Sequence, residues 1–154
     1  MESHKHRPRL YVAAPLFCAA ELEFNKQVRD ALSGAFDVYL PQEDGGLLRE
    51  MLEDGVSLEE GGRLVFERDI EALRSSDFLL ISLDGRTVDE GAAFELGFAH
   101  ALGKPCYGLQ TDARRLLPIG NNPMLEGALQ QVFSSLEELH AWAQSAGDTV
   151  RKQN

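Results

Sequence analysis

The chain has 154 residues, with 15 Lys and Arg against 25 Asp and Glu, and a formal net charge of −10 at pH 7. This length predicts one domain that buries roughly two-thirds of its unfolded surface. The acidity, with no cluster of Lys and Arg, argues against binding to nucleic-acid polymers or anionic membranes. No apolar run approaches the roughly 20 residues that a membrane-spanning helix needs.

Both ends of the chain are polar. Residues 1–8 lack the apolar core of a signal peptide and are expected to form a flexible tail, and residues 148–154 a polar C-terminal tail. Residues 9–147 then form the single domain. Cys18 and Cys106 each lie in an apolar stretch, so we expect two buried thiols, which fits a reducing, cytoplasmic location.

Apolar periodicity predicts strands that alternate with helices. Short apolar or alternating runs predict strands at 9–14, 36–40, 77–83, 106–109 and 131–133. Helical spacing predicts helices at 19–32, 63–74, 90–102, 123–129 and 136–146. A turn is expected at 44–46, and 47–62 is ambiguous between a short helix and an acidic loop. The alternation predicts a single α/β domain, a flavodoxin-like doubly wound parallel sheet of about five strands in the order 2-1-3-4-5.

This topology predicts where a ligand binds. In open parallel sheets, ligands lie beyond the carboxyl ends of the strands. Three segments should meet at that edge: residues 13–17, 40–44 and 83–90.

The helix predicted at 90–102 carries one carboxylate among apolar residues. By i, i+3, i+4 spacing, Glu95 shares a face with small or apolar residues: Gly91, Ala92, Phe98, Ala99 and Leu102. A carboxylate there costs several kcal/mol unless it is paired or faces a cavity. We interpret Glu95 as a functional carboxylate that faces a cleft. The alternative is a structural residue that points to solvent or pairs with an Arg.

Two further acids are candidates for the same site. Asp89 stands where an N-cap is needed, and capping alone would explain it. It lies six residues before Glu95, so both carboxylates can reach one end of the helix, where their pKa values would be pushed apart. Asp69 also lies among apolar residues, but by itself it is more typical of a structural acid paired with Arg68 or Arg74.

The sequence lacks the motifs of several other chemistries. It has no Gly-Lys-Ser/Thr phosphate loop, no Gly-x-Ser-x-Gly elbow, no Cys-x-x-Cys or His-x-x-x-His, and no glycine fingerprint at 13–17. What remains is an apolar cleft with two or three carboxylates and aromatic walls from Tyr11 and Phe17. This combination favours a neutral ligand with a flat ring, and cleavage or transfer of a glycosidic bond.

Residues 89–99, with the sequence DEGAAFELGFA, resemble the active-site helix of the nucleoside 2-deoxyribosyltransferases. The resemblance extends over most of the chain, through 10–17, 40–42, Asp69 and 122–125. It implies a retaining, ping-pong transfer of 2-deoxyribose between nucleobases, in nucleotide salvage, with no metal or organic cofactor. The implied partners are small-molecule nucleosides and free nucleobases.

The resemblance also implies a role for individual residues. Glu95 matches the nucleophile that forms a covalent glycosyl intermediate, Tyr11 the residue that orients it, and Asp69 the acid that shuttles the proton of the base. An unperturbed Glu, with a pKa of about 4.3, is ionised at neutral pH, as a nucleophile must be. A neighbouring Asp89 would raise this pKa, and a hydrogen bond from Tyr11 would lower it.

Further implied roles concern binding. Asp89 matches the residue that binds the sugar hydroxyls, Gln42 a contact to the base edge, and Phe17 a residue that packs against the base. The segment with Asn122 and Met124 matches one that reaches into a neighbouring subunit, which implies a homo-oligomer with shared active sites.

Two alternatives remain. One is an N-glycoside hydrolase of the same fold, which releases free base from a nucleoside or a nucleotide. Relatives that hydrolyse 5′-monophosphates place a Ser where Asp89 stands and carry phosphate contacts after the first strand, where this turn is apolar. We therefore expect unphosphorylated nucleosides to be preferred. The other alternative is a non-catalytic sensor of nucleosides or related ligands.

Overall fold

A computed structural model describes residues 7–114 and 120–153. Within these ranges, five strands alternate with α-helices: β1 (Arg9–Ala13), α1 (Ala19–Leu32), β2 (Asp37–Tyr39), α2 (Leu48–Glu53), α3 (Leu58–Ser75), β3 (Phe78–Ser82), α4 (Glu90–Ala101), β4 (Cys106–Leu109), α5 (Pro123–Glu126), β5 (Gln131–Phe133) and α6 (Leu136–Gln153).

The strands form one parallel sheet in the order β2-β1-β3-β4-β5, which confirms the predicted α/β topology. Helices α1 and α6 cover one face, and α3 and α4 cover the other. Alternate strand residues therefore belong to different cores. Leu10 and Val12 pack with α1 and α6, whereas Tyr11 and Ala13 pack with α3 and α4.

The ambiguous stretch 47–62 contains α2 and the start of α3, which begins at Leu58 rather than at residue 63. The side chain of Ser57 caps α3 by accepting a hydrogen bond from the N–H of Glu60 at 3.2 Å. Gly61 has low helix propensity, which explains the late start predicted from the sequence. A Cβ at Gly61 would lie 2.7 Å from Leu48 Cδ1, so this glycine lets α2 pack closely on α3.

The chain after β2 is more regular than the predicted turn at 44–46. Pro41–Gly45 forms one π-helical turn, and Gly46 follows with a φ of 80°, which favours glycine. A carboxyl oxygen of Asp44 accepts a hydrogen bond from the N–H of Leu40 at 2.7 Å. This bond fixes the turn at the carboxyl end of β2.

The last helix continues to Gln153, beyond the predicted end at residue 146. A glycine at 147 costs a helix only about 1 kcal/mol, so it does not end this one. Helix α5 is shorter than predicted and ends at Glu126. Most of the N-terminal tail predicted at 1–8 lies outside the described residues.

The two cysteines differ in exposure. Cys106 is buried in β4, as predicted, but the prediction for Cys18 is wrong, because its side chain is exposed at the N-cap of α1. In the part of the chain that the structure describes, no helix is both long and apolar enough to cross a membrane.

Candidate active site

Helix α4 begins with the predicted N-cap. Asp89 Oδ2 accepts a hydrogen bond from the N–H of Ala92 at 2.9 Å. Asp89 Oδ1 takes no part in this capping bond. The capping bond holds the carboxylate of Asp89 at the end of the helix, where its charge acts on Glu95.

The apolar face predicted for α4 is correct in its centre and wrong at its two ends. Three residues of the helix are fully buried: Ala92, Leu96 and Ala99. Gly91 and Leu102 are exposed because the helix packs on the sheet along a narrower stripe. Glu95 is partly buried. It directly precedes Leu96 and so lies beside the buried stripe rather than within it.

Glu95 is hydrogen-bonded to a tyrosine from the middle of the sheet. Tyr11, in β1, is 0% exposed, and its hydroxyl donates to Glu95 Oε1 at 2.6 Å. Burial holds the pKa of Tyr11 far above its ordinary value, so the hydroxyl stays protonated and acts as a donor.

The environment of Glu95 also changes its acidity. Burial raises its pKa to about 8, while the Tyr11 hydrogen bond lowers it and the charges of Asp69 and Asp89 raise it. Tyr11 and Asp89 therefore act in the predicted directions. The pKa nevertheless lies above the ordinary value of a Glu, because the loss of solvation on burial, which the sequence does not predict, outweighs the hydrogen bond.

Asp69 has a tyrosine partner that was not predicted from the sequence. Tyr39 is the last residue of β2, and its hydroxyl donates to Asp69 Oδ1 at 3.3 Å. Burial raises the pKa of Asp69 to about 6, against the opposing effects of this hydrogen bond and of the Arg68 charge. Arg74, the other expected partner, instead lies over the ring of Phe98.

The two tyrosine–carboxyl pairs lie side by side. Tyr11 and Tyr39 are paired in the register of β1 and β2, and their rings stack with centroids 5.2 Å apart. The alternation at 36–40 assigns Tyr39 to one face of a strand, but only the register places it beside Tyr11. The stack brings the two carboxyl groups to the same region of the sheet face.

Asp69 and Glu95 line one cavity of about 400 Å³ between α3 and α4. Its other walls are mostly apolar: Leu48, Val65, Phe66, Ile70, Leu73 and Phe94. This cavity can hold a flat, largely apolar group with two carboxyl groups at its edge. Such a pair, with raised pKa values, suits one acid and one nucleophile.

Gln42 and Phe17 lie at the carboxyl edge of the sheet but outside the lining of this cavity. Gln42 donates from Nε2 to the carbonyl of Leu22 and accepts from Asn25 Nδ2 at Oε1, both at 2.9 Å. Asn25 also donates to the carbonyl of Pro15 at 2.9 Å. One N–H and one lone pair of Gln42 remain for a ligand. Phe17 is 79% exposed.

Asn122 and Met124 line a second cavity, of about 290 Å³, on the other side of the α4 N-terminus. Asn122 Oδ1 caps α5 by accepting the N–H of Met124 at 2.9 Å, and the Met124 side chain is 82% exposed. Within one chain, these two residues do not join Asp69 and Glu95. Across residues 7–114 and 120–153, no group of three or more His, Cys, Asp or Glu could hold a metal ion.

Comparison with known proteins identifies the family of this chain. The sequence model of the family described as nucleoside 2-deoxyribosyltransferase matches residues 10–148. A conserved protein of Enterococcus faecalis V583 has 29% sequence identity and a TM-score of 0.74, covering 91% of this chain and 99% of its own.

Two further solved structures share the fold. A 2-deoxyribosyltransferase of Bacillus psychrosaccharolyticus has 24% identity and a TM-score of 0.70, covering 86% of this chain and 90% of its own. The CMP N-glycosidase of Clostridium botulinum has 16% identity and a TM-score of 0.52, covering 90% and 97%. Proteins described as a 2-deoxyribosyltransferase and as a CMP N-glycosidase therefore share this fold.

Proposed function

Because the chain belongs to the nucleoside 2-deoxyribosyltransferase family, we propose that it transfers 2-deoxyribose between nucleobases through a covalent intermediate on Glu95. One observation carries the proposal: Glu95, held by the Tyr11 hydroxyl, shares an apolar cavity with a second carboxyl group, that of Asp69. The substrates are small-molecule nucleosides and free bases.

The first half-reaction uses the two carboxyl groups differently. The Glu95 carboxylate attacks C1′ of the sugar, the C1′–N bond breaks, and its electron pair leaves with the base. Asp69, in its acid form, donates a proton to the departing base. The product is free base and a glycosyl ester on Glu95.

The second half-reaction reverses these roles. A second base attacks C1′, Glu95 leaves as a carboxylate, and ionised Asp69 accepts the proton lost by the incoming base. Two inversions at C1′ give overall retention.

The raised pKa values affect the protonation state of the pair. Burial raises the pKa of Glu95 to about 8 and that of Asp69 to about 6, so we expect the pair to retain a proton near neutral pH. The productive form has a proton on Asp69 and none on Glu95. We therefore expect kcat/KM to be greatest between the two pKa values of the pair.

The remaining residues bind the substrate. Asp89 keeps Oδ1 for the sugar hydroxyls while Oδ2 caps α4. Gln42 offers its free N–H and lone pair to the base edge, and exposed Phe17 packs against the base. Exposed Met124, with Asn122, completes the site of a neighbouring subunit in a homo-oligomer, which is supported by their separation from Glu95 within one chain.

Hydrolysis is the second candidate, because the shared fold of the CMP N-glycosidase can use water as the acceptor. Asp89 argues against a nucleotide substrate: if it binds the 5′-hydroxyl, as proposed here, a 5′-phosphate would add a second negative charge beside its carboxylate.

The test is a panel of 2′-deoxynucleosides, each incubated with a different free base and analysed by chromatography. We expect new nucleosides, formed by exchange. Glu95→Ala should abolish exchange while nucleoside affinity stays nearly intact, and Glu90→Ala, which removes an exposed carboxylate of the same helix, should remain active. Release of free base alone would indicate a hydrolase, and binding with no turnover a sensor.

A further inference from the structure

We propose that Tyr39 is a positioning residue that fixes the carboxyl group of Asp69, and that Gly45 closes the chain over this pair. The inference rests on the proposed function, in which Asp69 exchanges a proton with the base.

The hydroxyl of Tyr39 is held in place from two sides. Its side chain is buried, at 6% exposure, and its ring stacks on that of Tyr11. The hydroxyl therefore cannot turn away from Asp69 Oδ1, to which it donates at 3.3 Å. Burial and the neighbouring Asp69 raise the pKa of Tyr39 well above its ordinary value, so the proton stays on the tyrosine.

The backbone of the π-helical turn covers the same pair. A Cβ at Gly45 would lie 2.9 Å from Asp69 Oδ1 and 3.0 Å from the Tyr39 hydroxyl oxygen, so only glycine fits without a shift. Arg68 Nη1 donates to the carbonyl of Gly45 at 3.1 Å, which ties the turn to α3. The turn after β2 thus closes over the Tyr39–Asp69 hydrogen bond.

Groups from several elements face the carboxyl group of Asp69. Tyr39 of β2 donates a hydrogen bond to it, and Arg68, its neighbour in α3, contributes positive charge. The charge of Asp69 in turn raises the pKa of Tyr11 in β1 and of Glu95 in α4. The hydrogen bond stabilises the ionised form of Asp69 and so opposes burial. Without it, the pKa of Asp69 would rise further above about 6, and a smaller fraction of Asp69 would be ionised and able to accept the proton in the second half-reaction.

The test compares Tyr39→Phe with Tyr107→Phe. Tyr107→Phe also removes a tyrosine hydroxyl, but in the wild type this hydroxyl donates to Gln130 at 2.9 Å rather than to a carboxyl group. The Asp69 carboxyl is titrated by ¹³C NMR in the unliganded protein, with Asp69→Asn to assign its signal. We expect Tyr39→Phe to raise the pKa of Asp69 by about 0.5 to 1 unit and to move the low-pH limb of kcat/KM upward equally, with no change in Tyr107→Phe.

A second variant tests the closure by the turn. Gly45→Ala pushes the chain away from the pair and should move the pKa of Asp69 in the same direction as Tyr39→Phe. An Asp69 titration that is unchanged in both variants would overturn the inference. The NMR titration needs no substrate. If Tyr39→Phe shifts the pKa of Asp69 but the wild type shows neither exchange nor hydrolysis, the result would contradict the proposed function and uphold the positioning role.

Discussion

The hydrogen bond between Tyr11 and Glu95 opposes the effect of burial on the carboxyl group. Burial raises the pKa of Glu95 to about 8, and the tyrosine hydroxyl stabilises the ionised form that the proposed nucleophile needs. The 2.6 Å length of this bond is typical of a strong donor to a carboxylate. Tyr11 therefore increases the fraction of the enzyme that can react.

Removal of this hydroxyl should produce a pH-dependent loss of activity. Tyr11→Phe raises the pKa of Glu95 further, so the ionised fraction falls at pH values below that pKa. We expect kcat/KM at pH 7 to fall by about 10- to 100-fold, and the ratio of wild type to variant to shrink as pH rises. Pre-steady-state and steady-state rates between pH 5 and 10 measure this. An equal loss at every pH would show that Tyr11 acts only through packing.

The same raised pKa has a consequence for stability. Because the pKa of Glu95 in the folded state is above its ordinary value, ionisation costs the folded state more than the unfolded one. Stability is therefore lost as pH rises from about 4.5 towards about 8. At pH 8.5 we expect Glu95→Gln to unfold at a higher temperature than wild type, with a free energy of unfolding greater by up to a few kcal/mol, as estimated by linkage. At pH 4 we expect no such gain.

Thermal unfolding at the two pH values measures this difference. Glu90→Gln is the control, because Glu90 is exposed and should show no pH-dependent gain. A Tm gap for Glu95→Gln that is equal at both pH values would contradict the assignment of the raised pKa to this residue.

At the scale of elements, helix α1 joins the loops at the carboxyl ends of β1 and β2. Asn25 is 3% exposed and uses both amide hydrogens, one for the carbonyl of Pro15 and one for Gln42 Oε1. The hydrogen bond from Asn25 fixes which end of the Gln42 amide is the oxygen and which is the nitrogen. Helix α1 thereby sets the orientation of the amide that is proposed to contact the base.

Asn25→Leu should change base selectivity as well as stability. It leaves two acceptors without a donor, which costs about 1–3 kcal/mol, and it lets the Gln42 amide rotate. We expect the ratio of kcat/KM for two bases with opposite donor and acceptor patterns to change several-fold. The control is Ser76→Ala. It also removes a buried hydrogen bond, 2.7 Å long, from the Ser76 hydroxyl to the carbonyl of Ala72, but this bond lies at the C-terminal end of α3. Equal losses for both bases would contradict the role of Asn25.

The elements differ in how far the sequence predicts them. The strands and their order were predictable because a covered parallel strand requires a short apolar run, as in 77–83. The start of α3 was not, because the helix propensity of Gly61 and Gly62 is low. Only the packing of α2 on α3 reveals why a glycine is needed at Gly61. Tyr39 was missed because its position depends on register with β1. The raised pKa of Glu95 was not predictable because desolvation depends on the folded surroundings.

At the scale of the whole molecule, the net charge of −10 includes the carboxyl groups proposed for the site. Two cations line the second cavity, but Arg114 is paired with Asp112 at 2.5 Å and Arg86 lies on the exposed loop before α4. We expect this excess of negative charge to disfavour a phosphate group and to tolerate a neutral nucleoside.

We therefore expect 2′-deoxynucleosides to react with a kcat/KM at least about tenfold greater than that of their 5′-monophosphates, since like charges at close range repel by about 1 kcal/mol or more. The difference should decrease at high ionic strength, which screens charge. Turnover of matched pairs at low and high salt measures it. A clear preference for monophosphates would contradict the account and favour the nucleotide hydrolase.

Glu95 is proposed to carry the sugar between two bases. Mass spectrometry tests this directly on protein that has been mixed with a 2′-deoxynucleoside, without an acceptor base, then quenched in acid and digested. We expect a deoxyribosyl adduct on the peptide that contains Glu95, lost when a free base is added before quenching and absent in Glu95→Gln. Base exchange with an adduct on another residue, or with none on Glu95, would contradict it.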